Sequence, residues 1–401
     1  VQIFAPTATG MVDSQAFLRR YLRNLALEQL PDGRVPPIVP AAALGTGWPY
    51  ALLGGLYANS TGWGDASVRV PWTLYWYYGD RTALERQYDS MRAWVDYLAR
   101  RAPERGLVRL ARREHAGESE PFVLDSGFQW GEWQRPGQSD DPFNMLEGTL
   151  HGDVVATAYF ASSARLLAST AAVLGREADA RRYERLADQV RAAWQAAFLG
   201  ADGHVGTDRQ DDYVRALAFD LLPPGWRAVA AGRLVELIEQ GGGHLGTGFL
   251  STPMLLQVLV DSGHADVAFR LLLQTTPPSW LYQVEHGATT VWESWEGSES
   301  QNHYALGSVA AWLREQLAGI SPLEPGYRAI RIAPVVGGGL TWADASVETP
   351  FGSARSRWWI EGPDGFLEVT IPPGTRGAIE LPDGRSEAAG PGVHRFRWSV
   401  R

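Results

Sequence analysis

The 401-residue sequence predicts a mainly helical domain followed by a small antiparallel β domain, and three observations carry that reading. Apolar residues recur at helical spacing from about Asp13 to Leu317. The rhythm breaks after Gly319 at Pro322, Pro325 and Gly326, and the runs beyond it alternate residue by residue. Spacings of three and four mark one face of a helix, and a spacing of two marks one face of a strand.

The first helix is expected over Ser14 to Leu30, where Phe17, Leu18, Tyr21, Leu22 and Leu25 share a stripe that Arg19, Arg20 and Arg23 avoid. Comparable segments follow at Ala43 to Tyr57, Ala66 to Tyr78, Thr82 to Arg101 and Asp153 to Leu174. Arg181 to Phe198 repeats the pattern with Tyr183, Leu186, Ala187, Val190, Trp194 and Ala197. Trp226 to Glu239, Thr252 to Ser262, Ala265 to Gln274 and Leu306 to Leu317 complete the helical series. The connecting loops are longer than those of a simple bundle, and helices paired as hairpins around a ring would gather them at one mouth.

Beyond Gly319 the strands are expected at Tyr327 to Ile332, Leu340 to Val347, Ser353 to Ile360, Phe366 to Ile371, Gly377 to Leu381 and Val393 to Val400. In the last of these, Phe396, Trp398 and Val400 alternate with Arg395, Arg397 and Ser399, as in a half-buried strand. Turn signals at Gly337-Gly338-Gly339, Pro350, Asp364-Gly365 and Asp383-Gly384 separate them, which points to a small sandwich. The domain division is therefore 1–318 and 319–401.

Composition closes off several classes of function. A 45% hydrophobic chain can bury a large core, so overall disorder is ruled out. A net charge of -9 without a basic cluster leaves nucleic acid without an electrostatic footprint. With no Cys there is no disulfide framework, thiolate zinc site or cysteine nucleophile. No stretch reaches the roughly 20 apolar residues of a membrane span. The chain opens Val1-Gln2-Ile3-Phe4, without Met or a signal-peptide pattern, so preceding sequence is expected. The compartment is left open, with the cytoplasm slightly preferred.

The aromatic content is unusual, at 17 Trp and 14 Tyr. Most of these rings read as core, but those beside Gly and acids in loops offer what a sugar ring needs, a flat apolar face next to hydrogen-bonding groups. Two segments have this character. Asp125-Ser126-Gly127-Phe128-Gln129-Trp130-Gly131-Glu132-Trp133 is too interleaved for a helix or strand, and reads equally as a ligand loop or a turn anchored by buried indoles.

The second segment runs from Ser279 through Tyr282, Glu285, His286, Trp292, Glu293 and Trp295 to Glu296, with Asn302-His303-Tyr304 close behind. A carboxylate among indoles is partly desolvated and becomes a stronger base when ionised, which singles out Glu293. Spacing alone also fits a surface glutamate whose Trp neighbours simply pack. His303 could donate to a hydroxyl, or be a satisfied structural residue. No HExxH, Walker loop, G-x-G-x-x-G after a strand, or G-x-S-x-G is present, and Gly241-Gly242-Gly243-His244 reads as a flexible turn. No metal or cofactor is expected.

Taken together, Gln2-Ile3-Phe4-Ala5-Pro6-Thr7-Ala8, Gly62-Trp63-Gly64-Asp65-Ala66, Gly131-Glu132-Trp133, Thr247-Gly248-Phe249, Pro278 to Trp295, Asn302-His303-Tyr304-Ala305 and Gly337-Gly338-Gly339-Leu340 resemble the inverting bacterial α-L-rhamnosidases, in consistent order over nearly the whole chain. The resemblance implies an (α/α)6 barrel, its first hairpin truncated, over roughly the first 318 residues, with a β-sandwich behind it. It implies Glu293 as the general base, with Ser294 where the family has arginine. Trp63 and Trp133 would line a rhamnose pocket and His303 would bond a sugar hydroxyl.

Glu132 stands where the family usually has aspartate, and its longer side chain would shift the aglycone side of the pocket. Asp125, Trp130, Tyr282, Glu285 and Trp292 are lesser site candidates. The resemblance also implies that the general acid lies in sequence preceding Val1, and that upstream β domains accompany this chain in the full-length protein. Loss of general acid catalysis costs on the order of 10²–10⁴ in rate.

Three functions follow as expectations. The first is hydrolysis of terminal α-L-rhamnose from a rhamnose-containing glycoside or oligosaccharide. The second is a catalytically silent carbohydrate-binding fragment. The third is another six-hairpin glycosidase or a lyase, in which Tyr282 and His286 would serve as the proton-abstracting pair.

Overall fold

A computed structural model describes residues 1–41, 59–104, 120–138, 148 and 151–400. The expected helix at 43–57 lies outside the described residues. Helices α1 (Ala5–Met11), α2 (Gln15–Glu28), α3 (Ala66–Tyr78), α4 (Arg81–Arg101), α5 (Asp153–Val173) and α6 (Glu177–Phe198) come first. They are followed by α7 (Gln210–Ala218), α8 (Trp226–Gln240), α9 (Thr252–Asp261), α10 (Ala265–Leu272), α11 (Trp280–Glu285) and α12 (Val309–Trp312).

Sequence pattern decides which helix of a pair lies inside. From Val154 to Ala171, α5 is buried around nearly its whole circumference, because Ala, Val, Ser, Thr and Leu occupy every face. Its partner α6 buries a single stripe of Tyr183, Ala187, Val190 and Trp194 and turns its Arg and Glu outward. The same contrast separates α3, packed with Val68, Val70 and Leu74, from amphipathic α4. The side chain of Asp80 caps α4 by accepting from the Ala83 amide at 3.1 Å, and Arg19 of α2 donates to it at 2.6 Å.

Three helices escape the periodicity argument: α1, α7 and α11 are short, and α7 buries Asp211, Asp212 and Arg215 where a helical stripe should be apolar. The expected helix at Leu306–Leu317 is present but irregular. A 3₁₀ turn over Leu306–Ser308 leads into α12 and then into a π turn over Leu313–Leu317. There Arg314 folds inward and donates to the Pro6 carbonyl at 3.1 Å.

Two four-stranded sheets form the C-terminal sandwich. One carries β1 (Ile320–Pro322), β2 (Ala329–Ile332), β6 (Arg376–Glu380) and β7 (Ser386–Ala389) in that spatial order. The other carries β3 (Trp342–Thr349), β4 (Gly352–Glu361), β5 (Asp364–Ile371) and β8 (Gly392–Ser399). The antiparallel expectation holds except at β2 and β6, which are parallel because the chain crosses through the other sheet between them. Strands β1 and β7 have three and four residues, too short for alternation to reveal.

The sandwich core gathers Ile320, Ile330, Trp358, Leu367, Val369 and Trp398. It joins the helical domain where Trp358 Nε1 donates to the Leu317 carbonyl at 2.7 Å and where Gly79 and Gly326 pack backbone to backbone. A Cβ on Gly326 would stand 2.9 Å from Gly79 Cα, so only glycine permits that approach. Among the described residues no helix is long and apolar enough to cross a membrane.

Candidate active site

Loops far apart in sequence are sewn together at one mouth of the helical domain. The loop before α3 is held by Asp65, whose buried carboxylate accepts from the Gly62 amide at 2.6 Å, Trp94 Nε1 at 3.0 Å and Ser163 Oγ at 2.5 Å. Burial pushes the Asp65 carboxyl up, and these donors oppose the shift. The Gln129 side chain accepts from both the amide and the hydroxyl of Thr61, and the Trp130 amide donates to Ser60 Oγ at 3.0 Å. Farther along, the Phe249 amide donates to the Trp133 carbonyl at 2.8 Å.

This stitching encloses a cavity of about 290 Å³, lined by Trp63, Trp130 and Trp133 on one wall and by Phe249, Glu293, His303 and Tyr304 on another. Trp130 meets Trp133 edge to face at 4.8 Å and lies 5.9 Å from Trp63, so the indoles form one continuous apolar wall. Among the described residues that line the cavity, Glu293 is the one carboxylate.

Its neighbours in sequence act as anchors. Trp295 is fully buried and packs edge to face on Trp280 at 5.3 Å, while Trp292 is buried against Gly297. The Glu293 amide donates to the Ser300 carbonyl and the His303 amide to the Val291 carbonyl, each at 2.8 Å. The Glu293 and His303 side chains thus emerge side by side from one loop.

Glu293 Oε1 and His303 Nε2 are 4.0 Å apart, and each side chain is 24% exposed. That gap is too long for a direct hydrogen bond and wide enough for a bridging oxygen. The Ala305 amide donates to His303 Nδ1 at 3.3 Å, which places the imidazole proton on Nε2, facing the carboxylate. Burial lowers the His303 pKa while Glu293 opposes the shift, so the ring is neutral at pH 7 and acts as a donor. Its plane is set by Phe249 at 5.0 Å and Tyr304 at 4.8 Å, both stacked on it.

Of the residues expected at the site, Glu293, Trp63, Trp133, His303 and Trp130 therefore converge, and six others do not. Glu132 was expected to reach the ligand, yet its side chain is completely buried behind Trp133. Asp125 does not line the cavity. Trp292 is an anchor rather than a wall. The Tyr282 and His286 rings lie 3.9 Å apart, tilted by 34°, on and just past α11, and Glu285 is exposed beside them, all outside the cavity.

The sequence reading missed Tyr21, Phe249 and Tyr304 in the cavity wall, and it missed the ion cluster that receives Glu132. Arg215 of α7 donates to Glu132, to Asp211 at 2.6 Å and to Asp212 at 2.7 Å. Arg135 makes a two-pronged contact with Asp211 at 2.9 and 3.0 Å. The Ser251 amide and hydroxyl each donate to Glu132 at 2.9 Å. The Asp211–Arg215 spacing of four on a helix was the available signal.

Among the described residues of the cluster, three carboxylates face two guanidiniums. Burial pushes Glu132 up to about 7, with Arg215 opposing. For Asp211, burial is outweighed by Arg135 and Arg215, which hold its carboxyl far below the usual range. A carboxyl whose folded pKa is raised above the ordinary 4.5 adds stability below that value, and the contribution is lost as pH climbs through about 7. The melting temperature is therefore expected to fall as pH rises from roughly 5 to 7 and to level off above that, and Glu132→Gln to flatten the slope. Parallel slopes for the two proteins in a thermal scan would refute the assignment.

Gly248 shows how tightly this support is packed. A Cβ there would stand 2.2 Å from the Trp133 carbonyl oxygen and 3.1 Å from Glu132 Cγ. Gly248→Ala should destabilise by about 1–3 kcal/mol through overpacking. Gly232→Ala, in open space on α8, should be neutral or slightly stabilising. Equal melting temperatures for the two variants would contradict the packing argument. Among the described residues no group of three or more His, Asp or Glu is placed to hold a metal ion.

Comparison with known proteins gives a consistent result. Residues 1–317 match the bacterial α-L-rhamnosidase six-hairpin glycosidase domain, and residues 319–395 match the bacterial α-L-rhamnosidase C-terminal domain. The chain is 39% identical to an α-L-rhamnosidase of Streptomyces avermitilis, over 95% of this chain and 34% of that protein. It is 36% identical to one of Formosa agariphila, over 96% of this chain and 40% of that protein. The crystal structure of the Streptomyces avermitilis enzyme complexed with L-rhamnose superposes with a TM-score of 0.85, at 35% identity over 99% of this chain and 38% of that one. The chain thus spans between 34% and 40% of the length of these curated relatives.

Proposed function

This chain belongs to the bacterial α-L-rhamnosidase family, and from that premise we propose that it carries the sugar pocket and general base of a hydrolase that releases terminal α-L-rhamnose with inversion at the anomeric carbon. The observation that carries the reading is Glu293, the one carboxylate among the described residues of a cavity that three indoles also line. An apolar C–H face of the sugar would rest on Trp63 and Trp133, and the neutral His303 would donate from Nε2 to a ring hydroxyl.

Glu293 would take a proton from a water held between itself and the sugar as that oxygen attacks C1. The bond from C1 to the leaving oxygen breaks on the opposite face, and the departing oxygen must receive a proton from a second carboxylic acid. In an inverting pair the two carboxyls stand roughly 6.5–9.5 Å apart, leaving room for the water. The proposal assigns that acid to sequence outside this chain. It takes residues 1–318 as the catalytic domain, 319–401 as an accompanying β domain and a rhamnose-containing glycoside as the substrate.

Because Glu293 is the one carboxylate among the described lining residues, a second reading has support: this chain alone binds the sugar without turning it over. A Tyr282–His286 lyase pair has none, since both lie outside the cavity. The deciding experiment follows the full-length protein and a chromogenic α-L-rhamnoside by proton NMR. β-L-rhamnose should appear first and mutarotate afterwards. Initial α-L-rhamnose would replace inversion by retention, and binding without release would favour the silent reading.

A further inference from the structure

The β3–β4–β5–β8 sheet turns its inner face to the sandwich core and leaves the other face open. Alternation assigns the two faces: Ala343, Trp358, Leu367 and Trp398 are buried inside, so their neighbours in sequence point out. On that outer face the residues are mainly Asp, Glu, Arg, Ser and Thr, as a solvated sheet face requires. One row is different. The register sets Trp342 directly opposite Trp359, and Trp359 directly opposite Phe366.

Three aromatic side chains thus stand in line across adjacent strands, over two strand spacings or about 10 Å. Trp342 is 66% exposed. The other two rings are held in place: Trp359 Nε1 donates to Glu361 at 2.9 Å, and the Phe366 ring lies 5.4 Å from Trp359 at only 17° to it. The row borders a groove of about 1110 Å³.

We propose that this aromatic row is a second, accessory site for a neutral saccharide chain, separate from the cavity at Glu293. Three arguments choose that occupant. Arg355 pairs with Asp344, Arg395 with Glu368 at 2.7 Å and Arg397 with Asp364 at 2.5 Å, and Arg357 shares the face with Glu348 and Glu361, so a polyanion finds no net attraction.

The apolar area is also small. A buried aromatic side chain contributes about 150–250 Å². Two of the three are already partly covered, which leaves far less than the roughly 800 Å² per partner of a stable protein interface. Finally, the row adjoins hydrogen-bonding groups at the spacing of one residue. Arg357 lies with its guanidinium 5.4 Å from the Trp359 ring centre, turning donors toward the groove. Rings for the C–H faces of pyranoses and flanking donors and acceptors for their hydroxyls suit an uncharged glycan.

The test is native affinity electrophoresis of this chain in gels containing a soluble neutral α-L-rhamnan or, separately, a soluble neutral galactan. At least one should retard the protein. The W342A/W359A variant should lose about tenfold in apparent affinity, as expected for removing two stacking rings. W342A alone, at the most exposed ring, should lose part of it.

Retardation in the galactan gel reads the row alone, because the cavity at Glu293 is proposed to take terminal α-L-rhamnose, which keeps this proposal and the hydrolase reading separately testable. No retardation of the intact chain by either glycan would overturn the proposal, and so would equal retardation of W342A/W359A. A monomer–dimer shift on W342A/W359A substitution, measured by light scattering, would assign the row to self-association instead.

Discussion

Glu293→Gln in the full-length protein is expected to lower turnover of an α-L-rhamnoside by about 10²–10⁴-fold, the usual worth of a positioned general base. The substitution keeps the shape and hydrogen-bonding reach of the side chain and removes only its capacity to accept a proton. Glu293 is partly exposed and its backbone is anchored by Ser300, Trp292 and Trp295, so the fold should be unaffected. KM should change little, because the indole wall and His303 remain. A small anion such as azide needs no deprotonation to attack C1, and it should restore part of the rate to this variant as the rhamnosyl azide. Turnover within a few-fold of the parent, or rescue equal in parent and variant, would remove Glu293 from the role of base.

Arg215→Met should be the most damaging single change to the fold. Arg215 is completely buried and serves Glu132, Asp211 and Asp212 at once. Methionine fills much of its volume but leaves three interior carboxylates with Arg135 as the one remaining guanidinium of the cluster among the described residues. Breaking a buried charge network by removing one partner costs about 3–5 kcal/mol, which for a chain of this size is about 4–6 °C in melting temperature. Combining Arg215→Met with Glu132→Gln should recover part of the loss, because one uncompensated charge is gone.

The cluster supports the backbone that presents Trp133 and Phe249, so Arg215→Met should also weaken rhamnose binding, read from tryptophan fluorescence. A melting temperature within about 2 °C of the parent would show that the network is not a structural keystone.

The helices and strands that periodicity marked were legible because their burial is repetitive. Along α2, α4 and α6 each turn repeats the same division between core and solvent, and in β3 to β5 each residue reverses it. Where burial is polar, that signal inverts. Helix α7 hides Asp211, Asp212 and Arg215, and its pattern reads as a solvated surface until the partners are known. The short α1 and α11 and strands β1 and β7 offer too few turns or alternations to detect.

The site divides along the same line. Glu293, His303, Trp63, Trp130 and Trp133 could be singled out from local composition together with the family resemblance, since acid, indole and glycine packed into loops are costly to keep without a ligand to meet. Whether a given acid faces the cavity or the interior could not be read from its neighbours. Glu132 and Glu293 are each followed or flanked by tryptophan, and one ends in an ion cluster while the other ends in the cavity. Local chemistry along the chain is enough to specify helices, strands and the kinds of groups a site will contain. The direction in which each group points depends on contacts between residues eighty or more positions apart, such as Arg215 with Glu132 or Phe249 with Trp133, and those exist only once the loops are brought to one mouth.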